Sequence, residues 1–123
     1  MVADPRVEAA KLLTRSAELV RGGWCKGMDA KAKDGTGVLP ADPTAVLFDA
    51  RGAMRRAAHE IGAGPDVVKE AERWLNEALV PGMTDPAKYG RLSVVGWNDH
   101  GGQTQAAVVK GFERAAELAG KHT

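Results

Sequence analysis

Two short segments concentrate the residues able to do chemistry: Trp24-Cys25-Lys26-Gly27 and Trp97-Asn98-Asp99-His100-Gly101-Gly102. A thiol beside a lysine is a candidate nucleophile, because a neighbouring cation favours the thiolate. Asn98, Asp99 and His100 supply acceptors, a charge and a proton shuttle within three positions. With Cys25 they provide the residue types of a Cys-His-Asn or Cys-His-Asp nucleophilic site. Each segment also has a plainer reading, and the plainer one is preferred in both. Cys25 follows the carbonyl end of a helix, where the dipole disfavours a thiolate, and cysteine is among the most buried residue types. Trp24 then serves as a core anchor. Asn98 and Asp99 bond nearby backbone amides and fix a turn that Trp97 pins to the core.

A third group is basic. Arg51, Arg55 and His59 recur every four residues, with Arg56 adjacent, and so share one helix face. The preferred reading is a solvated strip paired with neighbours such as Glu60. The alternative is an anion or acidic-partner site, which would be salt-sensitive. No metal or cofactor is expected. His59, His100 and His122 are scattered, and Gly35-Thr36-Gly37 lacks the further glycine and the lysine of a phosphate loop. The strip has no interleaved aromatic residues, so a single-strand nucleic-acid platform is not indicated.

Composition narrows the field further. The 123 residues suit one domain spanning 1–123. Seventeen basic and 16 acidic side chains give a formal charge of +1, too little field to attract nucleic acid or anionic lipid. A single cysteine excludes an internal disulfide and a multi-cysteine zinc site. A lone thiol suits a reducing cytosol, and no apolar run is long enough to span a bilayer, so a cytoplasmic protein is expected. Aromatic residues are only 5%, so Trp24, Trp74 and Trp97 are the expected anchors of an alanine-rich core.

The elements that must position these residues read as helices. Asp4 caps the first and Pro5 occupies its favoured first position. Val7, Ala10, Leu13, Ala17 and Val20 form its stripe, and Gly22-Gly23 ends it with a left-handed cap. Residues 24–43 read as irregular. The Asp34-Gly35 turn signal leaves a short hairpin over 28–39 and a surface loop as alternatives. Asp42-Pro43 repeats the cap-then-proline signal for a helix running to about Ile61, with Leu47, Ala50, Met54, Ala57 and Ile61 on one face. Gly64-Pro65-Asp66 opens a third helix, carrying Val67, Val68, Ala71, Trp74, Leu75, Ala78 and Leu79 and stopped by Pro81-Gly82. Residues 83–102 read as irregular, with a single helical turn at Asp85-Pro86 and an extended run over Leu92 to Val95. Thr104 caps a last helix, lined by Val108, Val109, Phe112, Ala115, Ala116 and Ala119 and closed by Gly120. The sum is an all-α, four-helix domain with two long irregular loops.

The order of these motifs resembles a family of small bacterial, actinobacterial and phage proteins of unknown function. Gly23-Trp24-Cys25-Lys26-Gly27 is similar to its Trp-Cys-x-Gly motif. Gly52-Ala53 lies where its Cys-x-x-Gly-Ala helix would, and Trp97-Asn98-Asp99 matches its Trp-Asn-Asp loop before the last helix. The likeness runs from the first helix to the C-terminus. Where the family helix carries its second cysteine this chain has Asp49, so a two-cysteine redox or metal role is not expected. The resemblance implies a bacterial or phage setting and no particular activity.

Two functions from different classes follow. The leading one is a macromolecular binding or adaptor module, with another protein as partner and Trp24, Asp49, Arg51, Arg55, Trp97 and Asn98 as candidate binding residues. The alternative is a small enzyme or small-molecule binder whose cleft uses Cys25, Asp99 and His100, with Asp49 and Asn98 beside them. Self-association through an alanine-rich helix face is a further expectation.

Overall fold

The computed structural model describes residues 4–79 and 94–121. The first helix, α1 (Pro5–Gly22), starts as its sequence dictates: the Asp4 carboxylate accepts the Arg6 amide, and Pro5 opens the first turn. Gly23 follows with an extended backbone, φ 173°, rather than a left-handed cap. Its glycine identity has a packing cause, since a Cβ there would lie 2.5 Å from the Val46 carbonyl oxygen.

The chain then adds a small sheet to what is otherwise the mostly helical fold expected. Strand β1 (Ala30–Ala32) pairs antiparallel with β2 (Ala45–Phe48), with a bulge between Lys31 and Ala32. The turn at Asp34-Gly35 folds 36–38 back onto the other side of β1: Ala32 N–H donates to the Thr36 carbonyl and Val38 N–H to that of Ala30. Of the two alternatives for 28–39, the hairpin therefore exists, although its central segment also serves a second partner. Trp24 bridges Phe48 in parallel on the far side of β2.

Residues 45–48 were expected inside a helix beginning at Pro43. Asp42 does use its side chain locally, but as a turn: its carboxylate accepts both the amide and the hydroxyl of Thr44. Ala45-Val46-Leu47-Phe48 then finds strand partners on both sides, and aromatic and β-branched residues fit a pleated surface better than a helix. Helix α2 (Ala50–Ile61) begins after it, capped by Asp49 instead of Asp42, and ends at Gly62 with φ 69°.

Helix α3 (Pro65–Leu79) follows as its periodicity predicts. The chain is described again at α4 (Val94–Asp99), which makes the end of the expected extended run, Val94-Val95, and the expected Trp97-Asn98-Asp99 loop helical. Asp85-Pro86 and Leu92-Ser93 lie outside the described residues. Helix α5 (Gln105–Lys121) is capped by Thr104, whose hydroxyl accepts the Ala107 amide, and it continues through Gly120 instead of closing there. Five helices and a two-stranded sheet thus stand, among the described residues, where four helices were expected.

Helix α1 is the centre of the packing, in contact with α2, α3 and α5, while α3 also packs on α5. Ala9, Leu12, Leu13 and Val20 of α1 share one buried cluster with Val108, Phe112 and Ala115 of α5. The Gln105 side-chain amide donates to the Val20 carbonyl at 2.8 Å, so the start of α5 adds a second donor to a carbonyl at the end of α1 that already accepts the Gly23 amide. The alanines serve these internal contacts: Ala50, Ala53 and Ala57 of α2 and Ala71 of α3 are buried. Val7, placed on the α1 stripe, is 38% exposed. Trp74 is buried as expected, whereas Trp24 and Trp97 are only partly covered.

Candidate functional site

The two motif segments do meet, and Asn98 joins them. Its side chain is fully buried. Its Oδ1 accepts the Trp24 indole N–H at 2.7 Å and the Ala50 amide at 3.0 Å. Its Nδ2 donates to the Cys25 carbonyl at 3.1 Å and to Asp99 Oδ1 at 2.8 Å. An asparagine amide has two donor hydrogens and an oxygen with two lone pairs, so every valence is filled. The reverse orientation would set the NH2 against two N–H donors, which fixes the amide as described. One side chain thereby ties the end of α1, the start of α2 and the end of α4.

Asp99 extends the tie. The oxygen that accepts from Asn98 also accepts the Gly27 amide at 3.2 Å. Lys26 Nζ donates to the His100 carbonyl at 2.9 Å and lies 5.5 Å from the centre of the Trp24 ring. Trp97 points the other way, edge-on to Phe112 with ring centres 5.9 Å apart. It fits because position 111 is glycine: a Cβ there would come 2.7 Å from the indole. Gln103, just before the Thr104 cap of the last helix, holds this turn by donating to the Trp97 carbonyl at 2.8 Å.

The chemistry of a nucleophilic site is not assembled from these parts. The Cys25 thiol is buried and donates to the Met28 carbonyl at 3.4 Å. Burial, reinforced by the negative charge of Asp49, pushes it up to about 11. His100 is exposed and spends its Nδ1 on the Gly102 amide, 3.2 Å away. Among the described residues no hydrogen bond links His100 to Cys25.

Asp49 lies on the inner side of the same junction, 1% exposed. Its Oδ1 accepts the Gly52 amide at 2.6 Å, an N-cap bond, and its own amide donates to the Asp29 carbonyl at 3.1 Å. Burial raises its carboxyl to about 6; the Gly52 bond and Arg51 pull it down, while the charges of Asp29 and Asp99 push it up.

Asp29 was missed from sequence, because nothing in an aperiodic loop marks it. Its carboxylate accepts Arg51 Nε at 2.9 Å and Arg55 Nη1 at 3.1 Å. The basic strip is therefore paired, as the plainer reading expected, but chiefly with Asp29. Arg56 points its guanidinium to the carbonyls of Pro40 and Asp42 and to Glu60, which also binds Arg15. A hollow of about 300 Å³ opens beside the strip, between Arg51, Met54 and Arg55 of α2, Val68 and Glu72 of α3 and the start of α4. None of Cys25, Asp49, Asn98, Asp99 or His100 lines it. Among the described residues no group of three His, Cys, Asp or Glu side chains is placed to hold a metal ion. None of their helices is long and apolar enough to cross a membrane.

A mostly helical fold with a small sheet, knotted at a buried asparagine, defines the class of protein. The chain belongs to the family of unknown function DUF6197, whose model matches residues 4–118. No curated protein and no solved structure matches it.

Proposed function

We propose that the protein is a helical binding module that acts by contact with a macromolecular partner, in a bacterial or phage cytoplasm, and does not transform a substrate. The observation that carries this reading is the inward use of the chemistry-bearing residues. Asn98 has no free hydrogen-bonding valence, and the thiol is held neutral against a backbone carbonyl. Residues spent in this way brace the scaffold. A nucleophilic site needs a thiolate within reach of its base, and the pair that would supply it is not joined. The resemblance noted in the sequence supports the bacterial or phage setting, and a lone buried thiol fits a reducing compartment.

The test is capture from bacterial extract on the immobilised chain, at low and at moderate salt. A partner retained at moderate salt and released by unfolding the bait supports the reading. Failure to retain any protein under both conditions, with the bait shown to be folded, counts against it.

A further inference from the structure

We propose that residues 26–29 form a proton-operated latch, shut over the Asp49 carboxyl while that group is neutral and released when it ionises. The geometry is specific. Helix α2 begins directly beneath this loop, and the Asp29 carbonyl lies so close to Gly52 that a Cβ there would come within 1.8 Å of it. The Asp49 N–H bonds the same carbonyl at 3.1 Å, and the cap residue beneath the loop is 1% exposed. The two outer ties of the loop are themselves carboxylates. Asp29 clamps it to Arg51 and Arg55 of α2, and Asp99 of α4 holds the Gly27 amide.

An ionised Asp49 would be a third anion between these two. Among the described residues, the groups that face it are Asp29 from the loop, Asp99 from α4, Arg51 from its own helix and the Cys25 thiol from the end of α1; Lys31 of β1 acts on that thiol. Arg51 is already bonded to Asp29, so Asp49 receives one full hydrogen bond and little else to offset a charge held out of water. Lifting the loop admits water to the carboxylate. What resists is the Asp29 pair with Arg51 and Arg55, 17% exposed on the carboxylate and 48% and 57% on the two arginines, together with the Asp49 N–H and Cys25 thiol bonds to the Asp29 and Met28 carbonyls and the Lys26 bond to the His100 carbonyl. The raised titration of Asp49, to about 6, agrees with this picture. Relief on opening then favours the open loop increasingly as pH rises, by about tenfold between roughly pH 5 and pH 7.

The experiment is residue-resolved amide hydrogen exchange on the full chain across that range, corrected for intrinsic base catalysis, for the wild type and Asp49→Asn. Asparagine caps a helix as well as aspartate does but carries no charge. In the wild type, the residue 27 and 49 amides are expected to exchange faster than the Phe112 amide of the core, with protection falling about tenfold over the range. In Asp49→Asn the fall disappears. Protection at 27 and 49 equal to that of Phe112 at every pH would overturn the latch, because exchange would then require global unfolding. An unchanged pH slope in Asp49→Asn would overturn it too. Should that variant not fold, carboxyl carbon shifts of the native chain decide: titration of Asp49 near 6 supports the latch, and titration below about 4.5 overturns it.

Discussion

The indole N–H of Trp24 donates to the side-chain oxygen of Asn98 at 2.7 Å, across 74 positions of sequence. Removing the acceptor orphans the indole, the Ala50 amide and the Cys25 carbonyl together. A buried polar group left without a partner costs about 1–3 kcal/mol. Asn98→Ala is therefore expected to lose about 3 kcal/mol or more of folding stability, read from urea midpoints at constant slope. A loss under about 0.5 kcal/mol would mean that water replaces the amide and that Asn98 is not the brace described.

Two glycine-to-alanine changes should have opposite signs. At Gly52 the new Cβ meets the Asp29 carbonyl, which is backbone and cannot rotate away. Gly52→Ala should cost about 2 kcal/mol or more despite the better helix propensity of alanine. At Gly120, exposed in the last turn of α5, nothing lies within 4 Å of the new atom. Gly120→Ala should gain a few tenths to about 1 kcal/mol. Thermal melts of the pair decide, and equal shifts would contradict the contact at Gly52.

Much of the helical frame was legible from local chemistry. Asp4-Pro5 and Thr104 cap where their side chains predict, and the Trp74 stripe faces inward. Local signals failed where a distant partner decided the outcome. Asp42-Pro43 announces a helix as clearly as Asp4-Pro5 does, yet β1 captures 45–48 as a strand and the cap moves to Asp49. The residue types of the junction were visible, since Trp24, Cys25, Asn98 and Asp99 all stood out. Their meeting was not, because neither periodicity nor spacing encodes a bond between α1's end and α4's end. Asp29 gave no signal at all: its role comes from lying over the first turn of a helix more than twenty residues later.

Stability should fall as pH rises across the Asp49 titration. Its folded value, about 6, stands above the ordinary 3.8. The contribution is thus fully present below pH 3.8 and lost as pH approaches about 6. Asp4, Asp34, Asp42 and Glu117 act in the opposite sense, held down chiefly by hydrogen bonds and lost as pH falls, but Asp4, Asp34 and Glu117 are exposed and Asp42 is only partly covered. Asp49→Asn should therefore be more stable than the wild type above pH 6, by on the order of 2 kcal/mol, and equal to it near pH 4. Chemical denaturation at both pH values measures the difference; a variant less stable at both would show that the charge is welcome there.

The thiol should be inert in the folded chain. Cys25 titrates at about 11 against an ordinary 9.0, so at neutral pH thiolate is scarce as well as buried. Iodoacetamide is expected to modify it at roughly pH 8 only at the rate of unfolding, and readily in urea. Fast modification of the native chain, rising with a midpoint near neutrality, would restore Cys25 as a nucleophile and with it the enzymatic reading.

The main seam of the core joins α1 to α5, the first and last helices among the described residues. Synthesis runs from the N-terminus, so α1 leaves the ribosome with Leu12, Leu13 and Val20 uncovered and waits for more than eighty residues to follow. Until α5 emerges, that face is open to chaperones and to misassociation with other nascent chains. Closure of that seam is therefore a late event, and a translation arrest between α3 and α5 leaves the face of α1 that α5 covers open to solvent.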